Sequence, residues 1–328
     1  MKDYVGPQIK IGLRLINQYK MSAVFQCSHR KPRDWQDFHT GLFFREQMVR
    51  LGRAEIPVFI VQGNHDAASV ISRQLTLPPN VRVFSSRTGQ THRLEGLSVA
   101  IHGRSFRDRA EDADLVPSYP DPVPGWFNIG LLHTSLTGRA GHDPYAPTDV
   151  ATLVAKGYDY WALGHVHRRE VLLENPWVVF AGNTQGRHAR ETGPKGCVRV
   201  SVSGSANPSL DFRPLDVVRW EVVGIDAGGA ERGYDVVDRF RGELSGLLAR
   251  NPDVLSVARV VIDGETSVHD ELQADPERWE NEIRSVAVDE GGDRVWVEKV
   301  KLRSRPPAAT VLKPDGAVGE LLRLMDEL

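Results

Sequence analysis

Two short stretches, Gly63-Asn64-His65-Asp66 and Gly164-His165-Val166-His167, carry side chains able to bind a metal ion and move a proton. Each follows an apolar run, Ile56 to Val61 in the first case and Tyr158 to Leu163 in the second, and a third run, Phe127 to Leu132, ends in His133. Runs of this length that stop at glycine or polar residues read as buried strands opening into loops. In an open α/β sheet, the loops beyond the carboxyl ends of the strands line the ligand crevice. Imidazole together with oxygen ligands suits divalent Mn, Fe, Zn or Ni. Side chains two apart on an extended segment share a face, so His165 and His167 can contact neighbouring ions. Two ions roughly 3.5–4 Å apart clamp the attacking and leaving oxygens of a phosphoryl centre. In such a site Asn64 offers a carboxamide oxygen. His65 protonates the leaving oxygen, with Asp66 or another carboxylate holding its tautomer.

Taken singly, each element has a plainer reading. Asn-His-Asp is a common turn, His133 alone reads as a structural residue, and His165 with His167 could equally be a surface pair. All three together, each after an apolar strand, point to a metal site. His92, His102, His142 and His269 lack that context. The loop Gly182-Asn183-Thr184-Gln185-Gly186-Arg187-His188 is intermediate: glycine-bearing and polar, it suits a phosphate or a nucleic-acid backbone, and equally a surface turn.

The surrounding pattern must position these groups. Thr40 to Leu51 is apolar at helical spacing and stops at Gly52. Short strands are expected near 81–84 and 97–101, and the run at 127–132, a helix near 148–156 and the run at 158–163 restore βαβ order, hence parallel pairing. Strands near 169–173, 177–181 and 198–202 follow as an antiparallel meander. A boundary falls near 215–220. Beyond it, strands at 220–225, 256–262 and 295–302 alternate with helices at 232–250, 267–274 and 276–288. Asp293 to Arg303 alternates polar and apolar residues, as a sheet open to water on one face does. Residues 1–33 are atypical. The basic tract Cys27-Ser28-His29-Arg30-Lys31-Pro32-Arg33 predicts that this region adds no proper first strand. Residues 306–328 read as a linker and a helical tail cut short.

The chain has 328 residues, 41% hydrophobic and 26% charged, so two globular domains are expected. A formal net charge of -2 excludes a uniformly basic coat, though not a local basic patch. Arg104, Arg107, Arg109, Arg139, Arg168, Arg169 and Arg187 are candidates for such a patch. The two cysteines, Cys27 and Cys197, form neither a metal motif nor a disulfide framework, which fits a reducing cytoplasm. No run is long enough to span a bilayer, and no signal peptide is legible.

Gly63-Asn64-His65-Asp66, His133 and Gly164-His165-Val166-His167 resemble the later motifs of the calcineurin-like metallophosphoesterases. The connecting stretches 40–44, 58–68, 130–134, 158–169 and 186–197 resemble the bacterial DNA-repair exonuclease branch, SbcD-like and YhaO-like. The resemblance implies an α/β fold: a four-layer α/β/β/α sandwich over 1–215 and a smaller α/β capping domain over 216–305. It implies a metal-dependent DNA exonuclease with two divalent ions, manganese as the usual one, with Mg, Fe or Zn as alternatives. Asn64, His133 and His165 would hold one ion and His167 the other, with His65 and Asp66 catalytic. Arg168, Arg187 and His188 are candidates for substrate contact. DNA, an SMC-like ATPase subunit and a second copy of the chain are the implied partners, with no membrane. A small-molecule phosphodiesterase or phosphatase of the same superfamily, or an inactive pseudonuclease, are the rival readings. The chain departs from the family pattern at its start. No Asp-X-His precedes Asn64, and the position of the bridging Gly-Asp falls at or near Ser28-His29, leaving His29 as a substitute ligand.

Overall fold

A computed structural model describes residues 24–27, 38–64, 76–108, 111–136, 145–203, 208–307 and Leu324, with backbone alone for 24–27 and 38–40. These residues form two compact units. One holds the described residues up to Gln185 together with Lys195–Leu215; the other holds Gly186–Pro194 and the described residues from Asp216 onward.

In the first unit, β1 (Val24–Cys27), β2 (Val58–Val61) and β3 (Val81–Val83) make a parallel three-stranded sheet in that order. A second sheet contains β4 (Gln90–Leu94), β5 (Val99–Gly103), β6 (Phe127–His133), β7 (Tyr160–Gly164), β8 (Glu170–Glu174) and β9 (Trp177–Phe180). Its order is β4-β5-β6-β7-β9-β8, with a parallel centre and the two edge strands antiparallel. A hairpin of β10 (Gly196–Ser201) and β11 (Ser209–Pro214) completes the strands. Helices α1 (Phe38–Arg53) and α2 (Val150–Ala155) cover the outer faces.

The period of two along the strands sorts the layers. On β2, Val58 and Ile60 pack against Phe44, Met48 and Leu51 of α1. Phe59 and Val61 turn the other way, onto Ile101, Ile129, Leu131, Tyr160 and Val179 of the large sheet. The far face of that sheet buries Leu132, Trp161, Leu163, Val178 and Phe180 with Leu153 of α2. The result is helix, sheet, sheet, helix, the four-layer arrangement expected. A helix as short as α2 is marginal on its own. It is held by fully buried Leu153 and by the Asp149 cap, whose carboxylate accepts from Thr152 N at 2.7 Å.

One expectation fails at the start of the chain. Val24–Cys27 does form a strand, parallel to β2 in the register Val24↔Val58 to Cys27↔Val61. Four residues preceding the basic tract suffice, because β2 is apolar on both faces and offers an unsatisfied edge. Residues 1–23 and 28–37 lie outside the described residues. Strands β4 and β11 were not expected either. Their sequences, Gln-Thr-His-Arg-Leu and Ser-Leu-Asp-Phe-Arg-Pro, lack an apolar run because both are at most half-buried.

In the second unit, β12 (Val218–Asp226), β13 (Leu255–Glu265) and β14 (Val295–Arg305) form an all-parallel sheet. Helices α3 (Gly233–Arg250), α4 (His269–Ala274) and α5 (Pro276–Val286) pack on one face, where Val260 and Ile262 meet Phe240, Leu244, Leu272 and Trp279. The loop 186–194, grouped with the first domain in the sequence reading, packs here. Trp220 Nε1–H donates to Gly186 O at 3.2 Å, and Ala189 lies against Trp220 and Val257.

His102, without chemical context in the sequence, is a buried tie across the large sheet. Its ring nitrogens bond Thr91 Oγ1 at 2.9 Å and Asn128 Oδ1 at 3.0 Å, and Tyr158 stacks on it at 4.2 Å. Burial pushes its pKa below the ordinary 6.5; the Asn128 bond opposes this and Lys156 adds to it. The folded chain therefore refuses a proton that the unfolded chain accepts. Stability is present above the unfolded value and is lost as pH falls below about 6.5. Half-buried His92 acts in the same direction, through burial and then Arg82. Denaturant unfolding should show stability rising between pH 5.5 and 7.5. His102→Gln should flatten that slope and cost roughly 1–3 kcal/mol at pH 7.5; an unchanged slope would refute the assignment.

Candidate metal centre

The candidate residues emerge where parallel strands end together. β6 and β7 are neighbours in register, with His133 opposite Gly164, so His165 follows one residue beyond its partner. Thr134 N–H donates to Gly164 O at 3.2 Å and carries the pairing past the strand ends. The imidazoles of His133 and His165 then meet edge-on, ring centres 5.2 Å apart at 78°. Asn64 arrives from the other sheet, three residues beyond β2, and its Oδ1 lies 3.1 Å from His133 Nε2. Asn64 and His133 are buried, 3% and 1% exposed, and His165 is half-buried.

This approach depends on Gly63. A Cβ at position 63 would stand 2.4 Å from the Cε1 and Nδ1 of His133. The glycine that punctuates the first motif is the floor on which the His133 ring rests. Loop ties hold that floor in place. Gln62 N–H donates to Ser105 Oγ at 3.1 Å, Ser105 Oγ–H donates to Phe84 O at 2.7 Å, and Phe106 N–H donates to Gln62 O at 2.8 Å. They bring Phe106 edge-on to His133, ring centres 5.1 Å apart. Tyr145 lies 5.4 Å from the His165 ring. Ser105, Phe106 and Tyr145 were not singled out in the sequence. The first two follow an apolar strand, as the histidines do, so the strand-end rule applied to β5 would have found them.

His165 has φ of +99°, rare for a side chain with a Cβ, and such backbone costs on the order of 1–3 kcal/mol. Its neighbour Val166 is buried in the core beneath, which holds the turn in that conformation. His167 is half-buried, and its carbonyl accepts from Asn183 N at 3.2 Å. Gly182, with φ of +76°, makes room for this contact: a Cβ there would stand 2.8 Å from Arg169 N. Arg168 is exposed, and the Arg169 guanidinium sits 4.8 Å over the Phe212 ring. Asn64, His133 and His165 thus come together, with His167 two residues further on. Arg187 and His188 belong to the second unit, where the Arg187 guanidinium pairs with buried Glu191 at 3.2 Å. His65, Asp66, His29, Arg109 and Arg139 lie outside the described residues.

The donor set fits one divalent ion. Adjacent ligand atoms of an octahedral ion with bonds of roughly 2.1 Å lie about 3 Å apart, close to the 3.1 Å between Asn64 Oδ1 and His133 Nε2, a separation that is also that of an ordinary hydrogen bond. All three donors are neutral. Among the described residues, no three His, Cys, Asp or Glu side chains group to hold a metal, so an ion at His133 and His165 would draw on the Asn64 carboxamide.

Residues 28–169 match the calcineurin-like phosphoesterase family, and residues 220–305 match the middle domain of metallophosphoesterase YhaO. The uncharacterized metallophosphoesterase YhaO of Bacillus subtilis (strain 168) is 39% identical over 194 residues, 58% of this chain and 47% of that protein. The chain thus spans about half the length of the curated relative it matches. A solved structure, TT1561 of Thermus thermophilus, aligns at a TM-score of 0.36 and 17% identity, over 66% of this chain and 95% of that one.

Gly63→Ala is expected to push the His133 ring away and to weaken binding of Mn or Co by tenfold or more, read by isothermal titration, while the chain stays folded. In a His133→Ala background the same substitution should cost little further. Equal losses in both backgrounds would show that Gly63 acts by another route.

Proposed function

We propose that this chain, whose residues 28–169 match the calcineurin-like phosphoesterase family, is a metal-dependent phosphodiesterase acting on DNA, slowed by an incomplete ligand set. The observation that carries this reading is the meeting of Asn64, His133 and His165 at the carboxyl ends of β2, β6 and β7. Divalent ions, when bound, supply positive charge to the phosphoryl oxygens in flight. Asn64, His133 and His165 would hold one such ion; a second, which the family resemblance assigns to His167, is not expected to stay bound without a carboxylate after β1. His65 donates the proton that the departing oxygen needs, with Asp66 fixing its tautomer. The exposed guanidinium of Arg168, next in the chain to His167, attracts the phosphate backbone. Arg187 and His188 are further candidates for substrate contact. An ATPase partner and self-association belong to the same reading, by resemblance to the exonuclease branch.

The low rate follows from β1. Its last residue, Cys27, pairs with Val61, so β1 ends level with the strand that leads to Asn64. A carboxylate delivered just after Cys27 would stand at that end of the sheet, but the chain continues Ser28-His29 and reaches its next acid only at Asp34. With neutral donors alone, the charge of a bound ion would go uncompensated, and the sequence directly after β1 offers no carboxylate before Asp34.

The test is degradation of linear DNA in millimolar manganese, beside hydrolysis of a small aryl phosphodiester. The chain should degrade DNA slowly, and His133→Ala or His165→Ala should abolish that activity. Rebuilding the segment before Asp34 with an Asp-X-His strand and a Gly-Asp should raise the rate by about a hundredfold or more, roughly 2.7 kcal/mol of barrier. Equal rates for the original and rebuilt chains would overturn the incomplete-site account. Activity confined to the small ester would overturn the DNA reading.

A further inference from the structure

All-parallel sheets are normally covered on both faces. Among the described residues, the sheet of the second unit is not. Helices α3, α4 and α5 share one face, and the loop 186–194 covers only the amino end of the other, where Ala189 meets Trp220 and Val257. Beyond that loop, Trp296 and Val222 stand 59% and 50% exposed. Trp296 lies opposite Val257 in the register, beside the loop that carries exposed Arg190 and His188.

A register shift after Val297 turns the rest of β14 so that Val300 and Leu302 face the helices. Lys299, Lys301 and Arg303 therefore project from the bare face in a row, opposite Arg259, Val261 and Asp263 of β13. Glu298 is taken by Arg259 through two bonds of 3.0 and 2.9 Å. No ion pair to Lys299 or Lys301 occurs among the described residues. The acids of this face, Asp226, Asp263 and Glu265, lie toward the carboxyl end, which bounds the basic row. The Lys301 ammonium is held below its ordinary pKa, first by desolvation and then by Arg259, Arg303 and Lys299, as expected where cations outnumber anions.

We infer that this face binds single-stranded nucleic acid, with the Trp296 indole as a base-stacking platform and Lys299, Lys301 and Arg303 as phosphate contacts. Alternate residues of a strand repeat at roughly 6.6 Å, an extended track suited to a polyanion. An exposed aromatic beside such a track gives the stacking and charge that sequence-tolerant single-strand binding uses. A duplex hides its bases from a flat indole, so single strands are preferred. The binding needs no metal and stands apart from the hydrolytic reading.

The test is fluorescence anisotropy of a labelled oligothymidylate with the full chain in EDTA. Trp296→Ala should weaken binding roughly five- to hundredfold. Lys299→Glu with Lys301→Glu should weaken it at least tenfold and lower the slope of log affinity against log salt by roughly 1.4. His133→Ala should lose hydrolysis yet bind as the parent does; a parent that binds single strands but hydrolyses no DNA sinks only the hydrolytic reading. Unchanged affinity in the folded variants, or a parent that binds duplex as tightly as single strands, overturns the inference. So does a parent dimer that Trp296→Ala abolishes while oligonucleotide affinity is unchanged, which would make the face an interface between copies.

Discussion

The arrangement of the site depends on the closeness of one ring to one backbone: His133 lies where a side chain at position 63 would have to be. His133 ends a strand of the six-stranded sheet, and Gly63 follows a strand of the other sheet. Their contact closes the two sheets at the carboxyl ends, and it sets Asn64 Oδ1 against the imidazole. The bonds from Ser105 and Phe106 to Gln62 serve that closure, since each ties the end of β5 to the loop that must not move. Bulk is excluded at Gly63 and supplied at Phe106, and together they leave the ring little freedom.

His165 is held differently. Its neighbour Val166 is committed to the core, and the backbone between strand and core accepts an unfavourable φ to keep both placements. The candidate ligand His165 is thus positioned by hydrophobic burial of the residue beside it. The three donors that result carry no charge. A neutral donor set binds a divalent ion through dipoles and lone pairs alone, which is why a carboxylate at the end of β1 would matter so much and why its absence lowers the expected rate.

Much of this was legible in the sequence, for physical reasons. Strands buried on both faces, such as β2 and β6, announce themselves as unbroken apolar runs, and the polar residues just past them mark the crevice. The order of layers was implied by the family resemblance, and βαβ spacing gave the parallel pairing. Exposed or half-buried strands left weaker traces: β4 and β11 carry too few apolar residues to show a period. Val24–Cys27 is too short to show one beside a basic tract. The supporting residues Phe106 and Tyr145 were hidden because aromatic residues near strand ends are common in any core. The placement of loop 186–194 with the second unit rests on Trp220 and Val257, distant in sequence, and no local pattern reports such a contact.

The central claim is that Asn64, His133 and His165 hold a single divalent ion. X-ray absorption of the cobalt-loaded chain, combined with the metal-to-protein ratio after gel filtration, tests it most directly. The account predicts one ion per chain in a shell of oxygen and nitrogen donors with two imidazoles, and loss of one imidazole in His133→Ala. Two ions per chain with a short metal–metal distance, or a shell without imidazole, would contradict it.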